Sequence, residues 1–270
     1  MPELPEVETT RRGIAPHLLG VTVSRVVIRN PCLRQPIPAD LDLTLSGRTL
    51  QSIRRRAKYL LLAFDHGCLL LHLGMSGSLR VIGLNTPPGK HDHLDLEFGD
   101  RVLRLRDPRR FGLALWQPGA EPHPLLGRLG IEPLDDAFDG AWLHRASRGR
   151  KTPAKLFIMD GHHIVGVGNI YASESLHSAR IHPATPIGTL GPRRCARLAE
   201  AIRQTLGAAI EAGGSTLRDF VHSDGKPGYF QHRHQVYDRA GQPCPQCGRT
   251  IRVMQMGQRS TYYCPGCQHR

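Results

Sequence analysis

The sequence has no apolar run of about 18 residues and no basic start typical of a secretory signal, so we expect neither a membrane span nor secretion. It also has no glycine-rich phosphate loop and no regular alternation of strands and helices, which argues against a nucleotide-binding parallel sheet. Seven cysteines are too few and too unevenly spread for a disulfide scaffold in 270 residues. These absences favour a protein of a reducing cytoplasm.

The sequence also has fewer acidic than basic residues: 23 Asp and Glu against 36 Lys and Arg, which gives a net charge of +13. Such an excess predicts a polyanionic partner, with nucleic acid the first candidate and an anionic membrane surface the second. No amphipathic basic helix stands out, which favours nucleic acid. The length predicts two domains, or one domain and a small module.

The chain opens with the stretch MPELPEVET. If Met1 is removed, Pro2 carries a secondary α-amine, and α-amines have a pKa of about 8, against about 10.4 for lysine. Such an amine suits attack on a carbon at the aldehyde level, where it forms a Schiff base. Pro5 suits the first turn of a helix, so Glu3 and Glu6 would lie at its positive end. An ordinary helix start is the alternative.

The first half of the chain has the pattern of β-strands. Apolar or alternating runs are separated by turn signals such as Gly99-Asp100 and predict about eight short strands. The strands are predicted at residues 21–29, 49–53, 59–64, 68–74, 78–82, 93–98, 101–106 and 113–116. Many short strands with tight turns favour an antiparallel β-sandwich or a flattened barrel.

Four polar or exposed positions interrupt this apolar background. Lys58 ends the run RRRAK, for which a solvated strand edge is the common explanation. Glycines flank Met75 in HLGMSGSLR, and the turn DPRRFG presents Arg109 and Phe111. His91 in KHDH could belong to a metal pair, but no third ligand is near in the sequence, so a hydrogen-bonding histidine is the simpler interpretation.

The second half begins with a proline- and glycine-rich stretch at 118–134, which we interpret as a linker. Helical patterns follow at 140–151, 153–160 and 192–212, and the last has one apolar face. Between them, GVGNIYASESL places two glycines before Asn169, a candidate N-cap. Backbone N–H groups at such a helix start suit a phosphate, although an ordinary helix start is the default interpretation.

Four cysteines cluster at the C-terminus. Cys244-x2-Cys247 and Cys264-x2-Cys267 are separated by 16 residues, which fits a tetrahedral zinc site better than a redox dithiol pair. Four thiolates would leave no open position on the metal, so the zinc would be structural. Residues 226–270 contain seven Lys and Arg and one acidic residue, which favours a grip on phosphate.

These motifs, in this order and over essentially the whole chain, resemble the bacterial formamidopyrimidine-DNA glycosylases. The resemblance implies an α+β multidomain fold: an N-terminal antiparallel β-sandwich, a helical domain with a helix–two-turns–helix element, and a C-terminal zinc ribbon β-hairpin. The implied divisions are 1–118, a linker at 119–134, 135–225, and 226–270, with DNA bound across the cleft.

The resemblance also implies roles for individual residues. Pro2 would be the nucleophile and Glu3 the proton shuttle, with Glu6 beside them, while Lys58 and Arg259 would steady phosphate and leaving-group charge. Further DNA contacts are implied for His91, Arg109, Arg150, Lys155 and Asn169, with added charge from Lys151. Met75, Arg109 and Phe111 would fill the gap left by an everted nucleotide, and 223–230 would form a lesion-covering loop. One structural zinc ion is implied.

The implied activity is base-excision repair on damaged double-stranded DNA. A monomer of the bacterial cytoplasm would remove oxidised purines, such as 8-oxoguanine and formamidopyrimidines, through a Schiff base at Pro2 followed by β,δ-elimination. One alternative is an endonuclease VIII-like enzyme for oxidised pyrimidines, against which PELPE and the set Met75, Arg109 and Phe111 argue. The other is a non-enzymatic zinc-ribbon DNA-binding protein, which leaves Pro2 and Glu3 unexplained.

Overall fold

The computed structural model describes residues 2–214 and 234–270. The chain divides into two compact units. The first unit comprises residues 1–127 and 212–229, and the second unit comprises 128–211 and 230–270. The predicted lesion-covering loop at 223–230 lies outside the described residues, and the four-part division expected from the sequence stays a prediction.

The elements follow one another along the chain as a β-rich part, a helical part and a final hairpin. The helices are α1 (Leu4–Leu18), α2 (Leu41–Leu45), α3 (Pro124–Gly127), α4 (Gly140–Ser147), α5 (Ala154–Met159), α6 (Asn169–Ser178) and α7 (Pro192–Glu211). The strands are β1 (Arg25–Ile28), β2 (Ser52–Arg56), β3 (Tyr59–Phe64), β4 (Gly67–His72), β5 (Ser78–Gly83), β6 (Asp92–Phe98), β7 (Arg101–Arg106), β8 (Leu113–Pro118), β9 (Arg252–Met256) and β10 (Arg259–Tyr263).

The first unit is the predicted antiparallel sandwich. One four-stranded sheet has the order β1-β6-β7-β5 and the other β2-β3-β4-β8. Alternate residues of both sheets, such as Leu96 and Leu103 in one and Leu62 and Leu69 in the other, form a single buried core. The core also includes Ile14 and other residues of α1, so the N-terminal helix is fixed to the sandwich by apolar burial.

In the second unit, α6, two turns and α7 form the predicted helix–two-turns–helix element. The expected apolar face of α7 is buried, including Cys195, Leu198 and Ile202. The hairpin β9–β10 turns at Gly257 and Gln258, which both have positive φ. Among the described residues, no helix combines the length and apolarity needed to cross a membrane.

The start of α6 differs from the sequence prediction. Gly168 occupies the N-cap position in extended conformation, and Asn169 is the first helical residue. The N-cap assignment for Asn169 is therefore wrong. The reason lies in the side chain, since Asn169 Oδ1 accepts a hydrogen bond from Lys155 Nζ at 2.6 Å instead of one from its own helix.

Candidate active and nucleic-acid-binding site

The N-terminal residues are buried. Glu3 is the N-cap of α1, and its backbone N–H donates to Glu6 Oε2 at 2.8 Å, which is one contact of a capping box. Pro2, Glu3 and Glu6 are all buried. The two carboxylates therefore lie at the positive end of the helix, next to the position of the proposed nucleophile. Glu6 serves the helix start directly, whatever further part it has in chemistry.

Lys58 lies in the two-residue turn between β2 and β3, after Ala57 with φ of 53°. Arg55 fixes this turn, since its Nη1 donates to the Ala57 carbonyl oxygen at 3.0 Å. The same guanidinium lies 3.4 Å from Glu8 on α1, which packs against β2. Burial alone would raise the pKa of Glu8, but hydrogen bonds from Arg11 and Arg12 outweigh it and lower that pKa. An ionised Glu8 thus connects α1 to the β2–β3 turn that carries Lys58, here called the lysine turn.

His72, at the end of β4, joins the lysine turn to the next loop. Its Nδ1 accepts the Gly74 N–H at 3.0 Å. Burial, together with the nearby charges of Lys58 and Arg34, lowers the pKa of His72 to about 4. The ring is therefore neutral near pH 7 and carries its proton on Nε2, because Nδ1 is an acceptor.

Two turns of the first unit present the residues predicted to enter DNA. The Met75 turn (residues 73–77) follows β4, and the Phe111 turn (residues 107–112) connects β7 to β8. Met75 is 39% exposed and Phe111 49% exposed, so neither belongs to the buried core. A Cβ placed on Gly74 would lie 2.5 Å from the backbone carbon of Phe111, which means that the two turns are in backbone contact.

The remaining predicted DNA contacts of the first unit belong to the same region. Arg109 is exposed in the Phe111 turn. His91 is half-buried, and its carbonyl oxygen accepts the Asp107 N–H at 2.9 Å. The first unit therefore brings together the Met75 turn, Arg109, Phe111 and the loop of His91.

Lys155, in the second unit, is fully buried. Its ammonium donates to Asn169 Oδ1 at 2.6 Å, to Thr261 Oγ1 at 2.7 Å and to the Ser260 carbonyl oxygen at 3.2 Å. Asn169 Nδ2 donates to the same carbonyl at 3.0 Å. Lys155 thus connects α5, α6 and the hairpin β9–β10. In this arrangement we expect its effect on DNA to pass through the residues that it holds.

Two predicted cations of the second unit are exposed. Arg259 is the first residue of β10, directly before Ser260, whose carbonyl receives the Lys155 and Asn169 donors. Arg150 donates from Nε to the Ala146 carbonyl oxygen at 2.9 Å and lies over the Phe157 ring at 5.6 Å. Both side chains are in positions where an anion could reach them.

The four predicted zinc ligands converge. All four sulfur atoms lie within 4.8 Å of one another, with 3.8 Å between Cys244 and Cys267 and 3.4 Å between Cys247 and Cys264. Thiolates at about 2.3 Å from a tetrahedral zinc are about 3.8 Å apart, so the donor set fits zinc. Three of the cysteines, Cys244, Cys264 and Cys267, form a small core with Val236 and Ile251, while Cys247 is exposed. So small a core needs a further source of stability, which a metal supplies.

Neighbours of the cysteines connect this centre to the helices. His177 on α6 places Nε2 at 3.5 Å from Cys244 Sγ. The Gln268 side chain accepts the Cys264 N–H at 2.8 Å and donates to the Ile181 carbonyl oxygen at 2.9 Å. Contacts of this kind orient ligands around a metal. The zinc centre and the helical element are therefore one packed structure.

Comparisons with known families cover most of the chain in three parts. Residues 1–114 match the formamidopyrimidine-DNA glycosylase N-terminal domain, residues 129–221 match the formamidopyrimidine-DNA glycosylase H2TH domain, and residues 241–270 match the zinc finger found in FPG and IleRS. The chain belongs to the formamidopyrimidine-DNA glycosylase family. The match to the zinc finger, together with the converging thiols, confirms one structural zinc ion.

Similar proteins extend over the full length. The chain is 60% identical to the formamidopyrimidine-DNA glycosylase of Aromatoleum aromaticum, covering 100% of both chains. It is 60% identical to that of Methylococcus capsulatus, covering 99% of this chain and 100% of the relative. The structure superposes on the MutM (Fpg) protein of Thermus thermophilus with a TM-score of 0.89, at 40% identity and with 99% and 98% of the two chains covered.

A further structural neighbour is the Lactococcus lactis Fpg in complex with DNA containing an abasic site. It superposes with a TM-score of 0.92 at 33% identity, with 99% of this chain and 100% of that chain covered. The fold of this family member is thus one that holds damaged DNA in a relative.

Several residues of the family member's site escaped the sequence analysis. Glu8 and His72 hold the lysine turn and the Met75 turn, and Glu174 on α6 accepts the backbone N–H groups of Gln235 and Val236 at 2.8 and 3.0 Å. A polar residue in an otherwise apolar run, such as His72 after CLLL, was the available signal. Its partners depend on contacts that no local pattern reveals.

Proposed function

We propose that this chain, a DNA glycosylase by family, excises oxidised purines such as 8-oxoguanine and formamidopyrimidines from duplex DNA and then cleaves the strand as an AP lyase. The observation that carries the proposal is the match of all three segments, together with 60% identity to curated relatives over the full length. We expect the protein to act on DNA at the bacterial nucleoid.

In this proposal the Pro2 nitrogen is the nucleophile once Met1 has been removed. It attacks the sugar carbon that bears the damaged base, and the base leaves with the bonding electron pair. The C1′–O4′ bond of the sugar then opens to give an iminium, which acidifies the neighbouring C–H. Loss of one proton expels the 3′ phosphate, and loss of a second proton from the conjugated product expels the 5′ phosphate. Support comes from the carboxylates of Glu3 and Glu6 at the positive end of α1.

Glu3 is the group proposed to move protons, since it lies one residue from the nucleophile. Lys58 and Arg259 are proposed to neutralise phosphate and leaving-group charge. For Lys58, support comes from the Glu8–Arg55–Ala57 contacts, which fix its turn against the nucleophile helix. For Arg259, support comes from its exposed position beside the backbone carbonyl that Lys155 and Asn169 hold.

The DNA contacts are proposed on charge and exposure. Asn169, at the first turn of α6, and Arg150 are proposed to bind phosphate, in keeping with the net charge of +13. Met75, Arg109 and Phe111 are proposed to replace the stacking and pairing lost when the target nucleotide leaves the helix. Structural zinc holds the hairpin that carries Arg259.

Borohydride trapping on a duplex with a single 8-oxoguanine tests the proposal. We expect the protein without Met1 to form a covalent adduct, because borohydride reduces the iminium between Pro2 and the sugar. A preparation that retains Met1 is expected to form none, since the amine is then an amide. The Pro2→Gly variant with Met1 removed is the matched control, because its primary amine should trap weakly.

Each outcome decides between the enzyme and its alternatives. Undiminished trapping by the Met1-retaining protein would remove Pro2 from the mechanism. Binding without any adduct in the processed protein would favour a non-enzymatic DNA-binding protein. Faster trapping on an oxidised pyrimidine than on 8-oxoguanine would assign the chain to the endonuclease VIII-like activity.

A further inference from the structure

A buried carboxylate lies beneath the two turns that carry Met75 and Phe111. Asp107 is fully buried at the start of the Phe111 turn. Its Oδ2 accepts the Gly112 N–H at 2.8 Å, which closes the turn on itself. Its Oδ1 accepts the Ser76 hydroxyl at 2.7 Å, and a weaker bond from the Arg109 N–H at 3.3 Å. One side chain thus binds both turns.

Ser76 provides the connection from the other side. This buried residue belongs to the Met75 turn and is separated from Asp107 by 31 positions in the sequence. A serine hydroxyl has one proton to donate, and here it goes to Asp107. The same oxygen accepts the Arg109 N–H at 3.1 Å. The hydroxyl of Ser76, the residue next to Met75, therefore connects the Asp107 carboxylate to the backbone of Arg109.

The two turns approach each other so closely that Gly74 and Gly112 have no room for a side chain. Gly74 has φ of +60°, and a Cβ on it would overlap the backbone of Phe111 at 2.5 Å. A Cβ on Gly112 would lie 2.8 Å from the His72 carbonyl oxygen and 3.0 Å from Asp107 Oδ2. The turns are therefore in close contact, and the carboxylate lies at their junction.

We propose that Asp107 and Ser76 are positioning residues that hold Met75, Arg109 and Phe111 as one rigid wedge. A buried carboxylate is costly unless its donors are all in place, so the geometry with both turns docked is strongly favoured over others. The inference rests on the proposed function, because it concerns how the wedge acts on duplex DNA. The hydrogen-bond partners of both residues lie within the two turns.

A purely structural role for the pair predicts something different. If Asp107 and Ser76 only stabilised the sandwich, their loss would lower melting temperature and reduce every activity in parallel. If they position the wedge, their replacement should slow mainly the step that needs the wedge, which is eversion of a stacked base. Cleavage at a preformed abasic site needs less eversion work and should be spared.

The test compares Ser76→Ala with the processed protein on two substrates. Misplacement of a group by about 1 Å can cost a hundredfold in rate, so we expect excision of 8-oxoguanine from duplex DNA to fall about tenfold or more. Cleavage of a preformed abasic site should stay within about twofold. Ser78→Ala is the matched control, because Ser78 is equally buried but begins β5 outside both turns. It should change neither rate.

A double-variant comparison shows whether the serine acts through the wedge. Ser76→Ala added to a variant that already carries Met75→Ala, Arg109→Ala and Phe111→Ala should cause no further loss of excision, since the side chains that it positions are already gone. A 2-aminopurine opposite a stable abasic-site analogue reports insertion without chemistry, and its fluorescence change should shrink in Ser76→Ala. Asp107→Asn should act in the same direction if it folds.

The outcomes separate this inference from the proposed function. Equal losses on the two substrates, or a full further loss in the background that lacks the Met75, Arg109 and Phe111 side chains, would overturn the positioning role. An unchanged 2-aminopurine signal in Ser76→Ala would do the same. Absence of any borohydride adduct with the processed protein would instead refute the glycosylase mechanism, and the 2-aminopurine measurement would still test the wedge.

Discussion

Replacement of Lys155 by methionine separates a buried connector from a direct DNA contact. Methionine keeps much of the length and volume of the side chain but removes the ammonium, which donates to Asn169, Thr261 and Ser260. The Ser260 carbonyl keeps its hydrogen bond from Asn169 Nδ2. The acceptor most affected is therefore Asn169 Oδ1, which loses its hydrogen bond from the ammonium. An unsatisfied buried polar group costs about 1–3 kcal/mol, and the bonds lost here involve a charge. We therefore expect the second unit to lose about 2–4 kcal/mol of unfolding free energy.

Trp142 on α4 provides an optical reading of the second unit, and a Trp116→Phe background removes the only other tryptophan. Urea unfolding followed by Trp142 fluorescence gives the stability change. DNA affinity is measured in parallel as a function of salt, because each phosphate contact adds about 0.9 to the slope of log K against log salt. Lys151→Met is the control, since Lys151 is exposed. It should lower the slope by about that amount without destabilisation.

A connector role for Lys155 is refuted if Lys155→Met leaves the stability of the second unit unchanged and lowers the salt slope by about 0.9. Lys155 would then contact a phosphate directly, and its burial would not describe the DNA-bound protein. Loss of stability together with weaker DNA binding would instead show that Lys155 acts on DNA through Asn169 and the hairpin that it holds in place.

Three further changes have expected results. Cys247→Ser, or strong chelation, should unfold the zinc module and remove DNA binding, because the metal supplies much of the folding energy of so small a core; undiminished binding by zinc-free protein would contradict this. Phe111→Ala should alter melting little, since the ring is 49% exposed, yet slow duplex excision much more than abasic-site cleavage; a core-like loss of about 3–5 kcal/mol would refute the wedge assignment. His72 is neutral in the folded protein, so lowering the pH from about 6.5 to about 4 should remove up to about 3 kcal/mol of unfolding free energy. His72→Asn, which keeps an acceptor for the Gly74 N–H, should not show this loss. Coincident curves of stability against pH for the two proteins would show that the histidine does not titrate as inferred.

The sequence predicted the sandwich well where the pattern was local. The runs at 59–64 and 101–106 have the bounds of β3 and β7, because alternating burial and tight turns mark both ends. The run at 21–29 is a strand only over Arg25–Ile28, since Thr22 forms an isolated bridge to Thr49. The prediction at 49–53 was displaced toward β2 at Ser52–Arg56, because the basic run pairs with β3 and so continues the strand.

The candidate site was predictable only for residues with a motif of their own. The cysteine spacing and the turn around Arg109 and Phe111 can be recognised from residues that are close together in the sequence. Asp107 and Ser76 are joined across 31 positions, and Lys155 reaches Thr261 across 106. Which distant turn or strand a polar side chain meets depends on the completed fold, so neither partner carries a local signal of the contact.

In each unit a fully buried charged residue lies next to exposed candidate residues: Asp107 beneath the turns of Met75 and Phe111, and Lys155 beside Asn169 and the strand of Arg259. An exposed side chain on a turn gains little stability from its own packing, so its position must be fixed by buried residues that hold the turn. Apolar contacts are non-directional and tolerate sliding, whereas a buried charge with several short hydrogen bonds has few satisfactory geometries. Replacing either charge with an apolar residue of similar size should therefore lower stability and, in addition, loosen the exposed residues that the charge positions. Activity should then fall by more than the loss of stability alone explains in variants of these two positions, whereas the two should fall in proportion in variants of purely apolar neighbours.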